Sequence, residues 1–292
     1  MVAAGLAPSA HHSQPWRWQV TGGVLDLFAA HQRMSRFPDP DGRLVTISCG
    51  AALHHARLTL AARAWSVSVS RRPVTGDPAH LARLLIAGRA PVNPDTAGLA
   101  RSIDLPRADE RPLTGDPVEP ATLRAVSAAA EAQDVRVGVL TPAQILELPA
   151  ATGHDAATGS GRSAESASWS GPESTADPLG PQLPGTLGVH DETATVAVLH
   201  GPHDHDIDWL RAGEALSAAS LAAVRAGLSL RPIGAPVEHA ATWTVLRTMP
   251  ELGHPYLIVR LGREVNETDV PHLSRPKSIQ TIDLLSLVAE PD

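Results

Sequence analysis

The spacing of apolar positions changes several times along this chain of 292 residues. Residues 16–20 (WRWQV) and 24–29 (VLDLFA) alternate as two short strands, and the turn-forming residues 21–23 between them predict a hairpin. Over residues 42–64 the apolar positions recur at roughly helical spacing without a proline, which predicts a long helix buried on more than one face. The sequence SVSVS, residues 66–70, then predicts a third strand.

The first half of the chain ends in two weaker patterns. Residues 80–88 predict a helix followed by a strand. Residues 91–98 carry the Pro, Asn and Gly side chains that are typical of a linker. We therefore predict a domain boundary at this point, with a first half at 1–98 and a second half at 99–292.

The second half predicts helices and strands in the same alternation. A helix begins after Glu119, where Pro120 suits a first helical turn. The predicted helices cover residues 120–133, 208–226, a segment after residue 234, and 279–288. The predicted strands cover residues 135–140, 195–200 and 255–262, and residues 227–234 (GLSLRPIG) are predicted to form a glycine-bounded loop.

Residues 151–189 differ in composition from the rest of the chain. They are rich in Gly, Ser, Thr, Ala and Pro and contain few large apolar side chains. Such a segment cannot bury enough apolar surface to offset the entropy that is lost on ordering it. We predict that it forms a flexible lid or a disordered loop.

The chain also contains an internal repeat. One match relates residues 50–66 to residues 213–229 at an offset of 163 positions. A second, independent match aligns HLARLLIAG (residues 80–88) with HPYLIVRLG (residues 254–262). The repeat predicts two halves that fold alike, with their long helices packed together at the centre. An offset of 163 positions places Gly50, Ala52, Leu53, Ala56, Leu58 and Ser66 over Gly213, Ala215, Leu216, Ala219, Leu221 and Ser229.

Composition narrows the classes of function. A net charge of −7 and a pI near 6.0 argue against nucleic acid as a partner, because binding to a phosphate backbone requires clustered Lys and Arg. A single cysteine, Cys49, excludes an internal disulfide and favours a reducing compartment. The N-terminal residues lack a secretory signal pattern, and no stretch is apolar enough for a membrane span. We expect a cytoplasmic protein.

The segment PSAHHSQPW, residues 8–16, resembles the PSxxNxQPW segment of the nitroreductase family. In that family the segment closes over the FMN ring and ribityl chain at the interface of two subunits. The segments RADERPL, GEALSAASLAAVRAGLSL and RPK resemble the fused, dormancy-associated branch, in which one chain mimics a dimer. The resemblance implies an α+β fold whose two fused half-domains form a pseudo-dimer, with mixed or antiparallel sheets flanked by helices.

The same resemblance assigns residues to the flavin ring. Ser9 and Gln14 keep the family's residue types, and His12 stands in the place of the family's asparagine. Histidine also donates or accepts a hydrogen bond from a ring nitrogen, although it is bulkier and titrates near neutral pH. Gly227 opens the loop that resembles the family's glycine-rich turn beside the flavin.

The segment that resembles the family's phosphate anchor departs from its pattern. The family's form RRSxRRPF aligns with PRADERPL, so Pro106, Ala108 and Glu110 replace two basic residues and a serine. Losing two charge-assisted hydrogen bonds weakens binding by roughly two to four orders of magnitude. The remaining basic residues that the resemblance assigns to the phosphate are Arg107, Arg111, Arg275 and Lys277.

Three functions stay open at this stage. The resemblance implies an FMN-dependent oxidoreductase that acts on a small molecule, or a protein that sequesters FMN. The degraded phosphate anchor suggests instead a flavin-free scaffold whose cleft serves a non-redox or partner-binding role. The cluster HGPHDHDID, residues 200–208, suggests a metal-dependent hydrolase, but Asp206 or Asp208 also suits the N-cap of the next helix. We interpret Cys49 as a buried apolar residue and the pair 71–72 as solvated arginines.

Overall fold

The computed structural model describes residues 2–35, 39–105, 113, 117–148, 194–233 and 240–264. These residues form an α+β fold with two four-stranded sheets. The helices are α1 (Val2–Gly5), α2 (Arg43–Ala62), α3 (Pro94–Ser102), α4 (Pro120–Glu131), α5 (residues 142–148), α6 (Asp206–Arg225) and α7 (Ala240–Arg247). The strands are β1 (Trp16–Thr21), β2 (Val24–Ala29), β3 (Trp65–Arg71), β4 (His80–Arg89), β5 (Arg136–Val139), β6 (Thr195–Gly201), β7 (Ser229–Pro232) and β8 (His254–Gly262).

The two sheets have the same topology. The first has the strand order β1-β2-β4-β3 and the second the order β5-β6-β8-β7, and every pairing is antiparallel. Each sheet is built by two strands, a 20-residue helix and two further strands, in that order along the chain. The predicted hairpin is confirmed, because β1 pairs with β2 from Trp16 opposite Ala29 to Thr21 opposite Val24.

The internal repeat is confirmed by the positions of these elements. Helices α2 and α6 begin at the residues that the offset of 163 relates, Arg43 and Asp206. The second match also falls on equivalent elements, since β4 and β8 take the same place in their sheets. One buried apolar cluster contains residues of both halves, so the halves share a core as a pseudo-dimer.

The two long helices pack together, as the repeat predicted, and they cross at a pair of glycines. A Cβ atom on Gly50 would overlap the backbone carbonyl of Leu210, and one on Gly213 would overlap that of Ile47. Each helix therefore presents the same position to the other, which is the pattern of a two-fold interface. Only glycine allows the two backbones to approach this closely.

Three predicted elements of the chain were wrong. Residues 80–88 contain no helix, because β4 pairs with β2 between His80 and Leu85 and with β3 between Ala82 and Arg89. The predicted linker at 91–98 is largely α3, whose N-cap Asn93 accepts a hydrogen bond from Asp95 N–H at 2.8 Å. The loop at 227–234 contains β7, which is stabilised by pairing with β8.

Other predictions remain untested. The boundary between residues 98 and 99 falls inside α3, and the division into halves at 1–98 and 99–292 stays a prediction. The lid at 151–189 and the helix at 279–288 lie outside the described residues. Within the described ranges, no helix has both the length and the apolar character needed to cross a membrane.

Candidate functional site

The loop from Ser9 to Gln14 connects α1 to β1 and packs on α2. The Gln14 backbone N–H donates to Ser9 Oγ at 3.2 Å, and Gln14 Nε2 donates to the Gly5 carbonyl at 3.2 Å. The Ala10 N–H donates to Ser48 Oγ of α2 at 3.1 Å. Ser9 and Gln14 are both buried. These hydrogen bonds hold the loop in a defined shape against the central helix.

Three residues of this loop have left-handed backbone conformations. The φ angles of His11, His12 and Gln14 are 52°, 48° and 45°, although none of them is glycine. Such a conformation costs about 1–3 kcal/mol per residue and persists only where the surroundings enforce it. Strain of this kind clusters at active sites and ligand-binding loops, so the loop is the leading candidate for a functional site.

The loop is anchored where it enters β1. The Pro15 carbonyl accepts from the Cys49 thiol at 3.2 Å and from the Ala30 N–H at 2.9 Å. The Gln14 carbonyl accepts from Arg33 Nη1 at 2.8 Å. Cys49 is fully buried, and burial raises the pKa of its thiol far above the usual range. It is therefore a small core residue, as predicted, and not a nucleophile.

Gly227 lies at the C-terminal end of α6. Its φ is 71°, its N–H donates to the Val224 carbonyl at 3.0 Å, and the Leu228 N–H donates to the Ala223 carbonyl at 2.9 Å. This pair of hydrogen bonds is a Schellman motif, which requires a left-handed residue at this position. The motif accounts for the glycine without a ligand, and its contact with a cofactor stays a prediction.

The structure brings some of the predicted site residues together. Ser9, His12 and Gln14 lie in one loop, whereas Gly227 belongs to the turn after α6. The remaining candidates lie outside the described residues, as do the three residues that replace the phosphate anchor. The remaining candidates are Arg107, Arg111, Arg275 and Lys277. The three replacing residues are Pro106, Ala108 and Glu110.

A charged cluster that joins the two halves was missed by sequence reasoning. Glu214 of α6 is fully buried and accepts from Arg57 Nη1 of α2. It also accepts from Arg71 of β3, through Nε at 2.6 Å and Nη2 at 3.1 Å. The prediction that the pair 71–72 is solvated was wrong for Arg71, because it pairs with the buried Glu214. Arg72 also pairs with α6, through an exposed contact with Asp206 at 3.1 Å.

The histidine and aspartate cluster at 200–208 builds a helix start. His205 is the N-cap of α6, and its N–H donates to Oδ2 of Asp208 at 3.1 Å. Asp208 is therefore the third residue of the helix and Asp206 the first, so neither is the N-cap that we predicted. In the part of the chain that the structure describes, no group of three or more His, Cys, Asp or Glu side chains is arranged to hold a metal ion.

The two halves also meet through a buried histidine. His54 Nδ1 and Ser217 Oγ lie 2.8 Å apart, and the two residues occupy equivalent positions in the repeat. Burial, with a smaller contribution from Arg57, lowers the pKa of His54 to about 3. The imidazole is therefore neutral in the folded protein at any pH near neutrality.

This histidine makes stability depend on pH. Because its pKa in the folded state is below the unfolded value of 6.5, the unfolded chain binds a proton first as the pH falls. The contribution of the neutral His54 to stability is thus fully present above about pH 6.5, and it is lost progressively as the pH falls towards 3. Between pH 7 and pH 5 the free energy of unfolding of the wild type is expected to fall by about 2 kcal/mol because of His54. In His54→Asn, which retains a polar group near Ser217, this part of the decrease should be absent.

Urea unfolding at the two pH values measures this difference. His254→Asn is the matched control, because His254 is exposed and its replacement should leave the pH dependence unchanged. A wild type and a His54→Asn variant with parallel pH profiles would contradict the assignment of His54 as the source of the acid sensitivity.

Comparison with known proteins identifies relatives, although no family model matches the chain. "Putative NAD(P)H nitroreductase Rv3131" of Mycobacterium tuberculosis is 32% identical over 314 aligned positions, which cover 97% of this chain and 90% of that protein. "Putative NAD(P)H nitroreductase acg" of the same organism is 29% identical, with coverages of 88% and 85%. An FMN-dependent nitroreductase structure from Clostridium difficile aligns with a TM-score of 0.37 and 15% identity, over 55% of this chain and 85% of its own.

The first of these relatives extends over both halves, since the match covers 97% of this chain. Identity of 32% along nearly the whole chain is sufficient to assign the family. The duplicated sheets and the paired central helices agree with the pseudo-dimer that the resemblance implied. The chain belongs to the nitroreductase family, in the branch that contains the acg protein of Mycobacterium tuberculosis.

Proposed function

We propose that this protein is an FMN-dependent oxidoreductase that transfers electrons from NAD(P)H to a small electron-poor or amine-bearing molecule. The observation that carries the proposal is the strained loop at residues 9–14, which has the family's ring-binding pattern. The names of the two mycobacterial relatives support the same reaction class and the same electron donor.

The described residues fit the ring end of FMN. The left-handed residues His12 and Gln14 donate hydrogen bonds to Ser9 from their backbone N–H groups, which supports a loop that is shaped before a ligand arrives. The His12 imidazole has donor and acceptor chemistry that suits the polar edge of a flavin. When bound, FMN supplies the hydride chemistry, and the protein supplies position and electrostatics.

The phosphate end of the proposed site relies on arginine and lysine. We propose that Arg107 and Arg111 contribute to it, together with Arg275 and Lys277 from the C-terminal segment. Guanidinium and ammonium groups form charge-assisted hydrogen bonds with phosphate. Because Glu110 stands where the family has a basic residue, we expect FMN to bind weakly and to be lost easily during purification.

Restoring the anchor tests the proposal. Glu110→Arg, with Pro106→Arg, is expected to tighten FMN binding by about 1.5–3 kcal/mol per productive contact, or tenfold or more in Kd. Quenching of FMN fluorescence during titration measures the affinity. Glu147→Arg, an exposed position with the same change of charge, is the control and should leave the Kd unchanged.

The outcome separates the two main functions. An absence of FMN binding in both the native and the arginine-restored protein would overturn the proposal. The flavin-free scaffold would then be the better account, since Pro106, Ala108 and Glu110 already depart from the family's phosphate anchor.

We also propose that one chain is sufficient for activity and that it works in the cytoplasm. The central helices already pair as two subunits would, which supports a monomer. The buried thiol of Cys49 suits a reducing compartment.

A further inference from the structure

A cavity of about 230 Å³ lies where α2, β3 and the end of α4 meet, in a region that the proposed function does not use. It is open to solvent on one side, and both polar and apolar side chains line it. The residues that line it are His54, Arg57, Leu58, Ala61, Trp65, Val67 and Gln133.

The repeat relates this cavity to the region around Gly227 and Gln14. Ala64 follows α2 with φ 65° and is the counterpart of Gly227, which follows α6 with φ 71°. Asp134 precedes β5 by two residues with φ 63°, as Gln14 precedes β1 by two residues with φ 45°. The cavity thus lies beside the positions that the repeat relates to Gly227 and Gln14. This equivalence concerns backbone positions and does not depend on what either site binds.

The side chains at the two positions differ in chemistry. The lining residues His54 and Arg57 of α2 correspond to Ser217 and Ser220 of α6. Trp65 of β3 likewise corresponds to Leu228. A cation and a large aromatic ring therefore stand where the other half has small polar and aliphatic residues.

The charges around the cavity leave a positive excess. Arg57 donates to Glu214 and, at 3.1 Å, to Oε1 of Gln133, while Arg71 donates to the same Glu214 carboxylate. Two guanidinium groups thus share one carboxylate. His54 is neutral because burial lowers its pKa to about 3. Since the Arg57 side chain is about a third exposed and lines the cavity, the local charge favours an anion.

The walls and the volume define the rest of the ligand. Trp65 lines the cavity, and the guanidinium of Arg89 stacks 3.8 Å from its ring centroid. The other apolar residues of the lining are Leu58, Ala61 and Val67. A cavity of about 150 Å³ accommodates benzene, so this one has room for a substituted ring. We propose that the cavity binds a small aromatic carboxylate, with the carboxylate at Arg57 and the ring beside Trp65.

Calorimetric titration of the full chain with sodium benzoate tests the proposal, with benzamide as the uncharged analogue. We expect benzoate to bind at one site per chain with a Kd of about 1 mM or lower, and benzamide at least tenfold more weakly. Ala61→Leu fills the cavity and should weaken benzoate at least tenfold. Ala62→Leu adds the same side chain at the next position, which does not line the cavity, and should leave binding unchanged.

Several outcomes would overturn the proposal: no heat of binding, equal affinity for benzoate and benzamide, or full affinity in Ala61→Leu. Competition by FMN would also overturn it, because the ligand would then occupy the loop at residues 9–14. FMN titration of Ala61→Leu should match that of the wild type, so a failure here is distinct from a failure of the proposed oxidoreductase function.

Discussion

Replacing Gly213 by alanine is expected to lower the free energy of unfolding by about 2–3 kcal/mol. The new methyl group would overlap the Ile47 carbonyl and lie 2.8 Å from the Cα atom of Gly50. Backbone atoms of a buried helix cannot move aside as a flexible side chain can, so the two helices must separate. The cost of this overpacking exceeds the gain of up to about 1 kcal/mol that alanine brings to a helix interior.

Gly98→Ala is the control for this prediction. Gly98 also lies inside a helix, α3, but a Cβ there would meet only arginine side-chain atoms, the nearest at 3.8 Å. Alanine should therefore stabilise the protein slightly at this position. Urea denaturation measures both variants. Equal stability of Gly213→Ala and the wild type would show that the central helices do not approach as closely as described.

Much of the fold was predictable because the two long helices carry strong local signals. The apolar spacing of α2 and α6 extends over 20 residues each, and the repeat predicted that the two helices pack together. The elements that were missed are shorter than these helices. The run LARLLIAG of β4 suits a buried helix or a strand, and pairing on both sides decides between them. The N-cap and proline at the start of α3 were a helix signal that the linker interpretation overlooked.

The candidate site was predictable only in part. The loop at residues 9–14 carries its own sequence pattern, but a run of left-handed residues that includes Gln14 does not follow from residue propensities. The pair formed by His54 and Ser217 had a signal, because equivalent positions of a repeat meet near its two-fold axis. The contact between Arg71 and Glu214 had none, since it joins residues that are 143 positions apart and not equivalent.

The contact between Arg71 and Glu214 leads to the second prediction of a large loss of stability. Replacing Glu214 by glutamine retains the shape of the side chain and removes its charge, which leaves Arg57 and Arg71 without a carboxylate. Breaking a buried ion pair by removing one partner costs about 3–5 kcal/mol. Glu214 is fully buried, but the two arginine side chains are 31% and 21% exposed and regain some hydration. We therefore expect a loss near the lower limit, about 3 kcal/mol.

A double-mutant cycle with Arg71→Gln separates the ion pair from other effects of the substitution. If the pair is stabilising, the double variant should be more stable than the sum of the two single losses predicts, by about 1 kcal/mol or more. Asp206→Asn is the matched control. It removes a carboxylate from the same helix that also pairs with an arginine of the first half, but its side chain is 53% exposed, so the loss should stay below about 1 kcal/mol. A Glu214→Gln variant no less stable than this control would mean that the buried cluster does not hold the two halves together.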